Sequence, residues 1–208
     1  LMKASILIIS FLCVFITIHA QQKAITEKGD EVFLYEDGTW KYADDSIQLA
    51  HEIPVNPKKF IKNPSASFLL KSSKINTGFW IDAKKWTFKK AVNNDDAEYE
   101  LQHKTEDLYG MIITEKLEIP LETLREAALD NAQNAGPDVK ITHEEYRTVN
   151  DLRVLQLEMK GTISGIKVTY FGYYFSSPKG TVQFLTYSSQ ELMSTREKMC
   201  EELLNGLV

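Results

Sequence analysis

The distribution of apolar and polar positions divides this chain into recognisable stretches. After Lys3, an apolar run from Ala4 to Ile18 is broken only by Ser5, Ser10, Cys13 and Thr17. It is shorter than the roughly 20 residues that cross a bilayer and matches the h-region of a signal peptide. Ala20 ends the run with a small residue and Gln21-Gln22-Lys23 follows. Residues 1–20 are therefore read as a signal peptide cleaved after Ala20. The mature protein is expected to be exported, periplasmic or extracellular, with no membrane span after signal removal.

Residues 31–42 alternate in the manner of a β-hairpin. Val32 to Tyr35 and Thr39 to Tyr42 flank Glu36-Asp37-Gly38, and Asp-Gly favours the positive φ angles of a type I′ turn. A two-residue loop sets Tyr35 opposite Trp40 and Phe33 opposite Tyr42. That register gathers Phe33, Tyr35, Trp40 and Tyr42 on one face, the candidate partner-binding surface. A lone hairpin is marginal in water, so this module (residues 21–43) is expected to dock on something. Residues 44–65 read as a linker broken by Pro54, Pro57 and Pro64, with room for a short helix at 46–51.

From residue 66 to 208 the pattern is that of one α+β domain. Strands are predicted at Phe79–Asp82, Lys84–Phe88, Ala97–Lys104 and Leu108–Glu118. A helix follows, opened by Pro120, striped by Leu121, Leu124, Ala128, Ala132 and Ala135, and closed by Gly136-Pro137 with Gly as a left-handed cap. Strands at Val139–Val149, Arg153–Ile163, Ile166–Ser176 and Thr181–Tyr187 are joined by short turns, which implies an antiparallel meander. A last helix, Ser189 to Asn205, carries Ser188 and Glu191 as a capping box. Leu108–Ile119 and Ile166–Ser176 are apolar on both faces, and a strand buried on both faces needs cover on both. The expected architecture is an α/β/α sandwich around a central antiparallel sheet.

Composition narrows the chemistry. The 208 residues are 43% hydrophobic and 25% charged with a net charge of −5, the profile of a globular protein. No basic stripe of the kind that displaces phosphate counterions is present, so nucleic acid is not an expected partner. Once the signal is removed Cys200 is the remaining cysteine; its place on a helix stripe favours burial over an intermolecular bridge. Gly-x-Ser-x-Gly and phosphate-cradling loops are absent, and no histidine pair has metal-ligand spacing. No cofactor, metal or catalytic residue is expected. His103 with Glu115 is the one pair open to a perturbed-pKa reading, against a plain strand-end histidine. The string Tyr170 to Phe175 reads as core, or as a cleft where Gly172 admits another group.

The string Phe79-Trp80-Ile81-Asp82…Lys85-Trp86-Thr87-Phe88, followed by helix, meander and C-terminal helix, resembles the opening motif and element order of the PsbP-like superfamily. Ala83-Lys84-Lys85 stands where that motif carries a proline before the tryptophan. The resemblance covers residues 66–208. It implies an α/β/α domain shared by the PsbP protein of photosystems, a nuclear-import factor that binds Ran, and many secreted bacterial proteins. Known members are mostly non-enzymatic binding or assembly factors. The expected function is a non-catalytic binding or assembly-accessory role in the bacterial envelope, with a protein as partner. The alternatives are a carrier of a small apolar ligand held between sheet and helix and, third, a hydrolytic enzyme.

Overall fold

A computed structural model of the chain describes residues 22–26, 29–35, 39–44, 52–92 and 96–208. The signal segment, the Asp37-Gly38 turn and the short helix expected at 46–51 lie outside the described residues. The chain divides between Glu52 and Ile53 into two compact units.

The first unit contains a three-stranded antiparallel sheet, β1 (Gln22–Ile25), β2 (Glu31–Leu34) and β3 (Trp40–Tyr42), in the order β1-β2-β3. The register differs from the expected one. Trp40 pairs with Leu34, Lys41 with Phe33 and Tyr42 with Val32, and the Tyr35 N–H donates to the Thr39 carbonyl. A one-residue shift exchanges the faces of a strand. The shift therefore brings Leu34 and Val32 beside Trp40 and Tyr42 and leaves Phe33 with Lys41 on the other face. On the second face the Lys23 ammonium lies over the Phe33 ring and is 3.2 Å from Glu31.

The second unit is built on an eight-stranded sheet. In chain order its strands are β4 (Val55–Phe60), β7 (Trp86–Lys90), β8 (Ala97–His103), β9 (Tyr109–Glu115), β10 (Lys140–Val149), β11 (Leu152–Ile163), β12 (Ile166–Ser177) and β13 (Gly180–Ser189). Their spatial order is β4-β10-β11-β12-β13-β9-β8-β7. The β10–β13 meander turns on Asn150-Asp151 and Ser164-Gly165, all four at positive φ, as type I′ turns require. Residues 55–60, expected within the linker, instead form a parallel edge strand against β10. Proline is tolerated there because an edge strand leaves one row of backbone groups unpaired, and Lys58 and Lys59 discourage further pairing.

Cover on one face comes from helix α2 (Gln190–Leu204) and a ribbon of β5 (Phe68–Lys71) and β6 (Gly78–Ile81). The motif strand β6 thus pairs with β5, not with β7. Phe79, Ile81, Phe171, Tyr173, Phe184, Cys200 and Leu204 form the core on this side. Ser189, the last residue of β13, caps α2 by accepting from the Leu192 N–H, whereas the Ser188 hydroxyl donates to the Asp107 carbonyl instead. Helix α1 (Leu121–Ala135) covers part of the opposite face, packing Leu124 and Ala128 against Leu155, Leu157 and Tyr174. Gly136 after it is extended at φ −152°, not left-handed. Glycine is needed there because a Cβ would lie 2.4 Å from the Thr162 carbonyl oxygen.

Candidate functional site

Helix α1 lies over β10, β11 and β12. Beyond them, among the described residues, no helix covers the same face of β9, β8 and β7. Strand register places two cross-strand rows on this open half. One row runs Tyr170–Tyr187–Tyr109–Gln102–Thr87 over β12, β13, β9, β8 and β7. The next runs Leu185–Met111–Glu100–Lys89. Side chains two residues apart in a strand share a face, so both rows line one surface.

The tyrosines form a stack. Tyr170 and Tyr187 have ring centroids 5.7 Å apart. Tyr187 and Tyr109 are 5.6 Å apart with planes 21° from parallel. Tyr187 is enclosed between its neighbours, and Tyr109 ends the series. Past it lies a groove of about 330 Å³ lined by the side chains of Thr87, Lys89, Glu100, Gln102, Tyr109 and Tyr187, while the side chains of Phe88 and Leu101 between them pack into the core on the other face. Lys89 Nζ sits 2.9 Å from Glu100 Oε2, and the Thr87 hydroxyl donates to the Gln102 carbonyl.

The wall at Tyr109 is held from several directions. The Asp107 carboxylate two residues away raises the Tyr109 phenol pKa, through its hydrogen-bonding influence first and its charge second. Burial raises those of Tyr170 and Tyr187, the latter helped by Glu100. The β8–β9 connection is fastened by His103, whose Nδ1 accepts from the Glu106 N–H at 3.2 Å and more weakly from Thr105. Arg196 of α2 adds an ion pair to Glu106. Two N–H donors at Nδ1 place the His103 proton on Nε2, and burial holds its pKa below the ordinary histidine value. The cavity beside His103, Trp80 and Trp86 measures about 20 Å³, room for a single water-sized molecule.

The residues singled out from sequence fare differently. Phe33, Tyr35, Trp40 and Tyr42 do not form one face. Trp40 and Tyr42 meet edge-to-face at 5.1 Å, and Trp40 is 51% exposed, while Phe33 faces the other way. His103 and Glu115 lie at opposite ends of the β8–β9 ladder and do not pair. Glu98 is the buried carboxylate instead. Among the described residues no group of three or more His, Cys, Asp or Glu side chains converges on a metal position. Gly172 admits the Leu185 side chain, which a Cβ would meet at 2.4 Å, rather than a ligand. The groove itself escaped sequence reading, although the apolar register Tyr109, Met111, Ile113 was its trace.

No family model matches the chain, and no curated protein matches it in sequence. Solved structures do. The solution structure of cyanobacterial PsbP (CyanoP) from Synechocystis sp. PCC 6803 superposes with a TM-score of 0.53 at 10% identity, covering 70% of this chain and 94% of that one. The main unit has a PsbP-like fold. A protein of unknown function from Pseudomonas aeruginosa matches with a TM-score of 0.43 at 11% identity, over 68% of this chain and 95% of that one. LpqN of Mycobacterium tuberculosis, a protein involved in cell envelope biogenesis, matches with a TM-score of 0.38 at 9% identity, over 81% and 97%.

Proposed function

We propose that this chain is an exported, non-catalytic binding protein of the bacterial envelope whose ligand face is the groove beside Tyr109. The observation that carries this reading is the half-sheet that no described helix covers, where a stack of tyrosines ends in a groove with polar side chains on its floor. A volume of about 330 Å³ falls at the small end of ligand pockets. Polar groups converge there without a nucleophile paired to a base, which supports binding over catalysis. Export rests on Lys3, the apolar run to Ile18 and the small residue Ala20. Native mass spectrometry of protein purified from its own envelope tests the reading. The expected result is a mature chain beginning near Gln21 that carries a non-covalent mass, lost from Tyr109→Ala. Equal occupancy in both proteins would overturn the groove as the site.

A protein partner is supported by a separate observation on the small sheet. Trp40 is 51% and Leu34 39% exposed on one face beside Tyr42, and exposed aromatic anchors often dominate interfaces. The role assigned to this face is a docking surface for an envelope protein. Cross-linking from position 40, compared with position 41 on the opposite face, checks it; equal yields would remove the assignment. A carrier of purely apolar ligands is less well supported, because the groove is open and its floor holds the Lys89–Glu100 pair.

A further inference from the structure

We infer that the groove takes a saccharide, with one sugar ring continuing the tyrosine stack on the free side of Tyr109. The inference rests on the groove being the ligand face, and it names the ligand class from the chemistry of that face. Tyr170, Tyr187 and Tyr109 occupy facing positions on three neighbouring strands, with centroid spacings of 5.7 and 5.6 Å. Such a column presents a fixed aromatic surface at its end, and the negative face of an aromatic ring attracts the weakly positive C–H groups of a sugar ring. Beneath that position the register sets Gln102 and Thr87, with Glu100 and Lys89 alongside. These supply an amide that both donates and accepts, a hydroxyl, a carboxylate acceptor and an ammonium donor. Sugar hydroxyls, each a donor and an acceptor, match that mixture.

Other chemistries fit less well. A hydrocarbon chain would strip water from Gln102, Glu100 and Lys89 and offer no hydrogen bond in return. A phosphate-bearing ligand would meet the Glu100 carboxylate, and the nearby cation, Lys89, already lies 2.9 Å from Glu100. A neutral, hydroxyl-rich ring avoids both costs. Tyr109 can serve as a rigid platform because its ring is stacked on Tyr187, with the two planes 21° from parallel.

The test is two-dimensional NMR of the protein titrated separately with cellotetraose, chitotetraose, laurate and adenosine monophosphate. Saturable shifts at Thr87, Glu100, Gln102 and Tyr109 with at least one of the two oligosaccharides are expected. Tyr109→Ala should weaken the binding by roughly tenfold, while Tyr109→Phe, which keeps the ring, should retain most of it. Gln102→Ala, an exposed change that leaves the core untouched, should also weaken it and serves as the decisive variant if Tyr109→Ala does not fold. Groove shifts with laurate or adenosine monophosphate but with neither oligosaccharide would overturn the saccharide and leave the groove as a ligand face. Oligosaccharide shifts confined to other surfaces would likewise overturn it. Silence from all probes would count against both readings.

Discussion

The Thr114 hydroxyl on β9 donates to the Glu98 carboxylate on β8, inside the sheet and away from solvent. The same carboxylate accepts from the hydroxyls of Ser72 and Ser73, at 2.7 and 2.8 Å, and from the Ser73 N–H. It thereby ties the β5–β6 ribbon to the main sheet. Burial alone would raise the Glu98 pKa; the hydrogen bonds from Thr114, Ser73 and Ser72 outweigh it and hold the carboxyl below its ordinary value. A carboxylate with a lowered folded pKa stabilises the fold above its unfolded value and loses that contribution as pH falls through the folded value. Glu98→Ala should therefore cost about 2–3 kcal/mol at neutral pH. Chemical denaturation from pH 7 down to pH 3 should show a smaller acid-dependent loss in the variant than in the parent. Identical pH profiles would mean that Glu98 does not carry this linkage.

Truncation should separate the two units at a definite place. A chain beginning at Ile53 keeps β4 and is expected to unfold cooperatively, with a midpoint close to that of the parent. A chain beginning at Ile61 loses Phe60, which is buried in the core and stacked under the Arg147 guanidinium at 4.6 Å. It also loses the Asn56 amide that donates to Glu145. Removal of a buried phenylalanine costs about 3–5 kcal/mol, so the shorter chain should be destabilised by at least about that amount. Denaturant midpoints of the two truncations decide it, and equal midpoints would make β4 dispensable.

Why β4, Glu98 and the groove were hard to read follows from particular residues. The meander was legible because Asn150-Asp151 and Ser164-Gly165 are residues that accept positive φ, and the long strands between them alternate. Strand β4 carries Pro57 and two lysines, since an edge strand needs neither a full ladder nor an apolar face. Strict alternation along Ala97–Lys104 would put Glu98 on the face opposite Tyr99, but the ladder shifts between Ala97 and Tyr99. A bulge of this kind turns a side chain to the opposite side. The aromatic face of the small sheet was misread by one residue because the register depends on a loop longer than Asp-Gly alone implies. The groove depends on how far α1 extends across the sheet, which no local pattern in Leu121–Ala135 encodes.

Cys200 is fully buried in the core beside Met193, with 3.4 Å between sulfurs. Burial pushes its thiol up to about 11, so at pH 7 little thiolate is present and little of it is reachable. Labelling by a maleimide should be slow in the folded protein and rapid in denaturant, with the folded rate tracking the unfolding equilibrium. Equal rates in both conditions would place the thiol at the surface and restore an intermolecular disulfide as an option.

Arg147 joins β10, β12 and the end of α2 in one network. Its Nη1 donates to Tyr173 Oη and to Glu201 Oε2, each at 3.0 Å, and its Nε donates to Glu145. Tyr173 in turn donates to the Asn205 side chain at 3.0 Å, and the guanidinium lies over Phe60, Phe171 and Tyr173. The group is buried, and removing one partner of a buried pair leaves the others charged and unmatched. Arg147→Met should thus destabilise the protein by about 3 kcal/mol or more. Arg147→Lys should recover only part of the loss, because an ammonium cannot reproduce the planar fork that reaches Glu145 and Glu201 together or stack on the rings. Burial raises the Glu145 pKa, but the hydrogen bonds from Asn56 and Arg147 and the Arg147 charge outweigh it and hold it below the usual carboxylate range. That contribution is present above the unfolded glutamate value and is lost as the pH falls through the folded one. Coupling Arg147→Met with Glu145→Gln in a double-mutant cycle should give a double variant more stable than the sum of the single losses predicts, since the orphaned carboxylate is then neutral. Additive losses in that cycle would show that the two groups contribute independently and that the network is not what holds this corner of the sheet.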